Sequence, residues 1–211
     1  AGGEADAVEI GPGGVLVRTG SGNHAADAVV FAAGGPSTVD ALLGGLSKAV
    51  ARWALEEQPV LAAALDLGLR RLPEPGRRLV LGLDDPIYLS VHTPSAVLAP
   101  DGGEVVHLLW YGDAADGPRR RLEALLDRAQ PGWRDLVVAE RYGQRLVVSH
   151  GRPRPGFGYA GRPASAVPDL PSVYVAGDWV GPAGMLSDAS LASGQAAGAA
   201  AARSERLTVA T

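Results

Sequence analysis

Val175-Ala176-Gly177-Asp178-Trp179-Val180-Gly181-Pro182-Ala183-Gly184-Met185-Leu186-Ser187-Asp188-Ala189-Ser190-Leu191-Ala192-Ser193-Gly194 carries the most specific physics in this chain. The apolar run Ser172 to Ala176 that leads into it reads as a buried parallel strand. A Gly-Asp pair then stands at the strand's carboxyl end, where open α/β sheets bind ligands. Gly177 lets backbone approach a ligand closely, and the Asp178 carboxylate accepts hydrogen bonds from hydroxyls. The glycine-rich loop to Leu186 feeds a small-residue helix predicted over about Ser187 to Arg203, with Ser187 or Asp188 as N-cap. Free amides and the positive end of that helix dipole face whatever lies in the loop.

Working back along the chain, a second run of the same kind spans Asp27 to Ala33 and ends in Gly34-Gly35-Pro36, another place for close backbone approach. It is also the third of three runs, after Ala7 to Ile10 and Val15 to Arg18, separated by turn residues at Gly11-Pro12-Gly13-Gly14 and Gly20-Ser21-Gly22-Asn23, the signature of a β-meander. From Ser47 to Leu72 the spacing of Val50, Trp53, Ala54, Val60, Leu61, Leu65 and Leu69 predicts helix, with Pro59 at a start or kink. Leu79 to Leu83, Ile87 to Val91 and Val105 to Tyr111 read as strands of a more exposed sheet. Pro118 to Ala129 reads as an amphipathic helix with Leu122, Leu125 and Leu126 on one face. Leu136 to Ala139 and Arg145 to Ser149 are two further strands, and a Pro/Gly-rich linker covers Gly151 to Pro171. No internal repeat is visible.

Composition excludes several chemistries. With 211 residues, 46% hydrophobic and 20% charged, the chain is an ordinary globular one. A net charge of -4 gives no basic face for nucleic acid, and Arg119-Arg120-Arg121 beside Glu123 and Asp127 reads as a solvated helix face. There is no cysteine, and His24, His92, His107 and His150 have no metal-site spacing, so no metal is expected. No G-x-S-x-G elbow supplies a serine nucleophile. No apolar stretch approaches the roughly 20 residues a bilayer requires, so the expectation is a cytoplasmic protein, with membrane association left open.

A flavin uses both features of the 175–194 segment. Its ribityl chain needs hydrogen-bond acceptors, and its N1–C2=O edge becomes anionic on reduction, which a helix N-terminus stabilises. The strand, Gly-Asp pair, loop and helix resemble the C-terminal flavin-binding motif of the FAD-dependent amine oxidase and phytoene desaturase superfamily. The likeness is greatest to its bacterial desaturase-like members, which carry a similar Gly-Asp-Trp-Val-Gly-Pro … Asp-Ala-Ser-Leu-Ala-Ser stretch. Ala26 to Gly34 resembles the family's second strand motif. The resemblance implies FAD as cofactor, with Ala33, Gly34, Gly177, Asp178, Gly184, Met185, Leu186 and Ser187 around it. Asp178 would meet the ribityl or pyrophosphate region, and the backbone at Leu186 and Ser187 the pyrimidine edge.

The resemblance implies an α/β plus α+β fold: a partial Rossmann-like, glutathione-reductase-type FAD/NAD(P)-binding domain, residues 1–46 and 165–211, with an inserted mixed-sheet substrate domain, residues 47–164. It implies hydride transfer from an organic, apolar substrate to flavin. Tyr88, Trp110, Tyr111 and Trp133 are candidates for either substrate wall or core. No residue declares itself a catalytic base. The family's G-x-G-x-x-G turn is absent, and the only methionine is Met185. The chain is therefore expected to be a fragment, a processed product or one subunit, partnered by an N-terminal FAD-binding half. The alternative is a non-catalytic subunit that completes a partner's fold.

Overall fold

The computed structural model describes residues 3–93, 95–112, 117–153 and 155–209, of which 204–209 as backbone only. The chain forms two compact units, Ala1–Pro59 with Ser149–Thr211, and Val60–Val148. The divisions thus fall at 59/60 and 148/149 instead of the expected 46/47 and 164/165, which assigns residues 47–59 and 149–164 to the first unit.

In the first unit, β1 (Ala5–Gly11), β2 (Gly14–Thr19) and β3 (Gly22–Ala26) form an antiparallel meander. Gly11 pairs with Gly14 across the first hairpin and Thr19 with Gly22 across the second. The expected third run, 27–33, is not part of it. β3 takes that place although all five of its residues are exposed, so no apolar alternation announces it. Val29–Phe31 (β4) instead leaves the meander and pairs in parallel with a strand near the C-terminus, Val173–Val175 (β10 in chain order).

That parallel pair is buried in alternation. Phe31, Val173 and Val175 join Val8, Val15, Val39, Val50 and Trp179 in one cluster. Tyr174 and Ala176 face the other way, onto Ala197 and the partly buried Ala200 and Ala201 of a long helix, Ser187–Val209 (α4). Alanine there lets the helix approach the strands closely. Two short helices follow β4. Pro36–Leu43 (α1), unanticipated in the sequence, has Pro in its first turn and ends at Gly44, which is left-handed at φ 60°. Lys48–Leu55 (α2) is capped by Ser47, whose hydroxyl accepts from the Val50 amide at 3.1 Å.

The second unit is a five-stranded sheet in the order β6-β7-β8-β5-β9, made of β5 (Val60–Leu69), β6 (Leu79–Leu81), β7 (Ile87–Val91), β8 (Glu104–Tyr111) and β9 (Val137–Ser149, whose last residue lies past the division). Pro118–Ala129 (α3) covers one face, burying Leu122, Leu125 and Leu126 against Leu65, Leu67, Leu89 and Leu108. The helix expected from Ser47 to Leu72 therefore ends at Leu55, and Val60–Leu69 is strand. Ala62 to Leu65 are all buried, so both faces of β5 are apolar and the spacing of Leu61, Leu65 and Leu69 imitates a helical period. The two strands expected at 136–139 and 145–149 are one, running through Gly143. Among the described residues, no helix is long and apolar enough to cross a membrane.

Candidate functional site

Parallel pairing of β4 with β10 (Val29 with Val173, Phe31 with Val175) brings the carboxyl ends of both strands to one edge of the first unit. Ala33-Gly34 and Gly177-Asp178 therefore lie side by side. Trp179, only 4% exposed, fastens the two turns by donating its indole Nε1–H to the Gly34 carbonyl at 3.2 Å. Gly34 is left-handed at φ 72°. A Cβ on Gly177 would sit 2.9 Å from the Trp179 Nε1, so glycine is required there by the packing of its neighbour.

Ser193 of α4 holds the Gly177 peptide from the far side. Its buried hydroxyl accepts from the Gly177 amide at 3.0 Å and lies 2.7 Å from the Ala189 carbonyl. Asp178 uses one oxygen, Oδ2, to accept from the Ser149 hydroxyl at 2.6 Å and from the His150 amide at 2.9 Å. Among the described residues, its Oδ1 accepts no hydrogen bond.

The loop from Pro182 to Asp188 is exposed. Arg162 anchors it by donating to the Gly184 carbonyl at 3.1 Å, its guanidinium stacked over the Tyr159 ring at 4.4 Å. Gly184 is left-handed, and so is Leu186, at φ 49°. A left-handed leucine is strained, and strain of this kind collects at sites where backbone must face a ligand. Neither Ser187 nor Asp188 is the N-cap. α4 begins at Ser187 itself, so Leu186 precedes it, and Asp188 sits in the first turn with its amide bonded to the Met185 carbonyl at 3.0 Å. Among the described residues, the amides of Leu186 and Ser187 have no acceptor. Met185 and Leu186 are about half exposed, at 48% and 52%.

All eight residues singled out in the sequence thus lie on two turns and one helix start of a single unit. The donor and acceptor set can engage a ligand that carries hydroxyl groups and an edge of hydrogen-bond acceptors. It offers one open carboxylate oxygen, free amides at a helix N-terminus and glycines without space for a side chain.

Three contributors lie outside any motif. Glu57 accepts from the His150 ring (Nδ1 to Oε1, 2.7 Å) and from the Ser37 amide (to Oε2, 3.2 Å), and the Ser37 hydroxyl also donates to Oε2. Burial pushes the Glu57 carboxyl up, but the hydrogen bonds from Ser37 and His150 outweigh it and hold the group below its ordinary range. Ser149 and His150 had no sequence signal, because their partner Asp178 is far along the chain.

In the second unit the four candidate aromatics separate. Trp110 and Trp133 are core, with their indole N–H groups satisfied by Asp85 and Asp127 at 2.9 Å each. Tyr88 and Tyr111 lie on the opposite sheet face, ring centroids 6.2 Å apart. His107 stands between Asp66 of β5 and Ser90 of β7 in the strand register and pairs with Asp66. Burial, then Tyr111 and Asp66, raise the Tyr88 phenol above its ordinary value.

No family model and no curated protein matches the sequence. Solved structures do match in fold. Cyclohexylamine oxidase from Brevibacterium oxydans superposes with a TM-score of 0.64 at 18% identity, over 97% of this chain and 48% of its own. An oxidoreductase from Methanosarcina mazei gives 0.58 at 18% identity, over 90% and 47%. Glycine oxidase from Geobacillus kaustophilus gives 0.52 at 17%, over 95% and 48%. The chain has the fold of these oxidoreductases and spans about half of their length.

Proposed function

We propose that the chain forms the C-terminal portion of an FAD-dependent oxidoreductase of the amine oxidase and phytoene desaturase kind. The observation that carries this reading is the convergence of the Gly34 turn, the Gly177-Asp178 turn and the strained start of α4 on one edge of a parallel strand pair. The fold shared with solved oxidases supports it.

In this reading Asp178 Oδ1 accepts from the ribityl hydroxyls, while Oδ2 stays bound to Ser149 and His150, which fixes the carboxylate's rotation. The amides of Leu186 and Ser187 face the pyrimidine edge, where the helix dipole favours negative charge. Ala33 and Gly34 let the cofactor lie against backbone. Bound FAD would accept a hydride from the substrate and supply the redox chemistry.

The partner is the half of the fold that supplies the remaining cofactor contacts. β10 is bordered on its outer side by Ser165 to Val167, with the Val175 amide donating to the Ser165 carbonyl at 2.8 Å. β4 has no such neighbour among the described residues, and Val30 is 36% exposed. A lone pair of parallel strands is an incomplete sheet, and a further parallel strand on β4 would complete it.

The test is a visible absorption spectrum of the purified chain with FAD, alone and joined to or mixed with an N-terminal FAD-binding half. Flavin retained by the assembly supports the reading. A folded assembly that stays colourless with excess FAD overturns it and leaves a non-catalytic subunit.

A further inference from the structure

The places where the chain leaves the first unit, at Pro59, and re-enters it, at Ser149, are tied together within that unit. Gln58 forms an isolated bridge with Gly151, and Arg152 donates to the Gln58 side chain at 3.2 Å. Beside them stands the Glu57–His150 pair. Glu57 has only 9% of its side chain exposed, yet it reaches both His150 and the Ser37 hydroxyl and amide at the start of α1. His150 in turn gives its backbone amide to Asp178. A Cβ on Gly35 would collide with both Glu57 and His150, so the Gly34-Gly35 turn is packed directly on the pair.

One largely covered carboxylate therefore touches the segments that set both cofactor turns. The cleft beside it, lined by Trp53, Glu57, His150, Arg162 and Trp179, encloses only about 80 Å³. That is room for a few waters and far below a ligand pocket of roughly 300 Å³ or more, so the structure points to a structural role for the pair. We infer that Glu57 and His150 are positioning residues: they clasp the Gly34 turn to the Ser149–Gly151 segment and thereby orient Asp178 toward the cofactor. Naming FAD as that cofactor rests on the function proposed above.

The experiment compares Glu57→Ala, Glu57→Gln and His150→Ala in the assembly that binds FAD, with two readouts. The first is the FAD dissociation constant, followed by flavin fluorescence. The second is hydrogen exchange at the His150 amide without FAD. A clasp predicts that Glu57→Ala weakens FAD roughly tenfold, as loss of a hydrogen bond to a charged group does, and speeds His150 exchange. Glu57→Gln, which keeps the shape and can still bond both partners, stays within about threefold of the unmodified protein. If Glu57→Ala fails to fold, His150→Ala is read instead, since it keeps the amide to Asp178 and removes only the ring. Unchanged FAD affinity with unchanged exchange overturns the proposal, as does Glu57→Gln behaving like Glu57→Ala, which would mean that the charge and not the clasp matters. If the unmodified assembly binds no FAD, the flavin reading has failed, and the exchange of His150 alone decides the clasp.

Discussion

Trp179 Nε1 donates to the carbonyl of Gly34 across 145 residues of chain, and this one bond joins the two turns on which the proposed cofactor site is built. The indole is otherwise packed with Trp53, ring centroids 6.0 Å apart, and with the valines of β10. Trp179→Phe keeps an aromatic ring but removes the donor together with the pyrrole part of the indole. It should lower stability by about 1–3 kcal/mol and weaken FAD binding more than other core changes of equal cost. Trp179→Ala should cost about 3–5 kcal/mol. Urea unfolding and FAD titration of the same preparations check both, and a Phe variant equal to the parent in both would show that the bond does not hold the turn.

Leu186 invites the opposite experiment. A left-handed conformation costs a non-glycine residue about 1–2 kcal/mol, and glycine returns about 0.5–1 kcal/mol of that in lost chain entropy. Leu186→Gly should therefore be as stable as the parent or slightly more so by thermal melting. It should also bind FAD less tightly, because the loop that presents the Leu186 and Ser187 amides loses its preference for one conformation. A variant that loses stability would mean that the φ of 49° is held by favourable side-chain packing instead of being strained.

What could be read from the residues depended on whether the apolar pattern had one structural meaning. β4 and β10 were legible because continuous apolar runs ending in glycine describe few other structures. β5 was not, since Ala62 to Leu65 are buried on both faces and leave no period of two to detect. β3 was invisible for the converse reason: with every residue exposed, only its ladder to β2 defines it. α1 does carry signals, Pro36 at the start and Gly44 at the end, but Gly34-Gly35-Pro36 describes a point of close backbone approach equally well. In the site, the motif located Gly177, Asp178 and the α4 start. Glu57 and His150 stand 93 residues apart and belong to no pattern, so only the fold could bring them together.

α2 offers a test of long-range capping. Ser47 is fully buried, accepts from the Val50 amide, and donates its own proton to Asp169 Oδ1 at 2.6 Å. Ser47→Ala removes the cap and strands the Val50 amide, so it should destabilise the protein by about 1–2 kcal/mol. Ser47→Asp, also a good cap, should do no better, because it places a second carboxylate against Asp169. Urea midpoints of the two variants give the answer.

Asp169 also sets a pH dependence with a defined sign. The hydrogen bond from Ser47, with further help from the Ala49 amide at 3.2 Å, holds its carboxyl below the ordinary 3.8. A group whose folded pKa is depressed binds its proton more readily when unfolded, so its contribution to stability is complete well above 3.8 and disappears as pH falls through the lower folded value. Asp169→Asn keeps an oxygen for the Ser47 hydroxyl but cannot titrate. The parent should therefore lose more stability than the Asn variant between neutral pH and strongly acid solution, with the difference developing as pH falls through 3.8 and on toward the lower folded value. Glu57, also depressed, loses its contribution on the acid side in both proteins alike, so it cancels in the comparison. Urea unfolding at a series of pH values measures the difference directly. Parallel curves for parent and variant would mean that the Ser47–Asp169 contact does not distinguish the folded from the unfolded carboxylate.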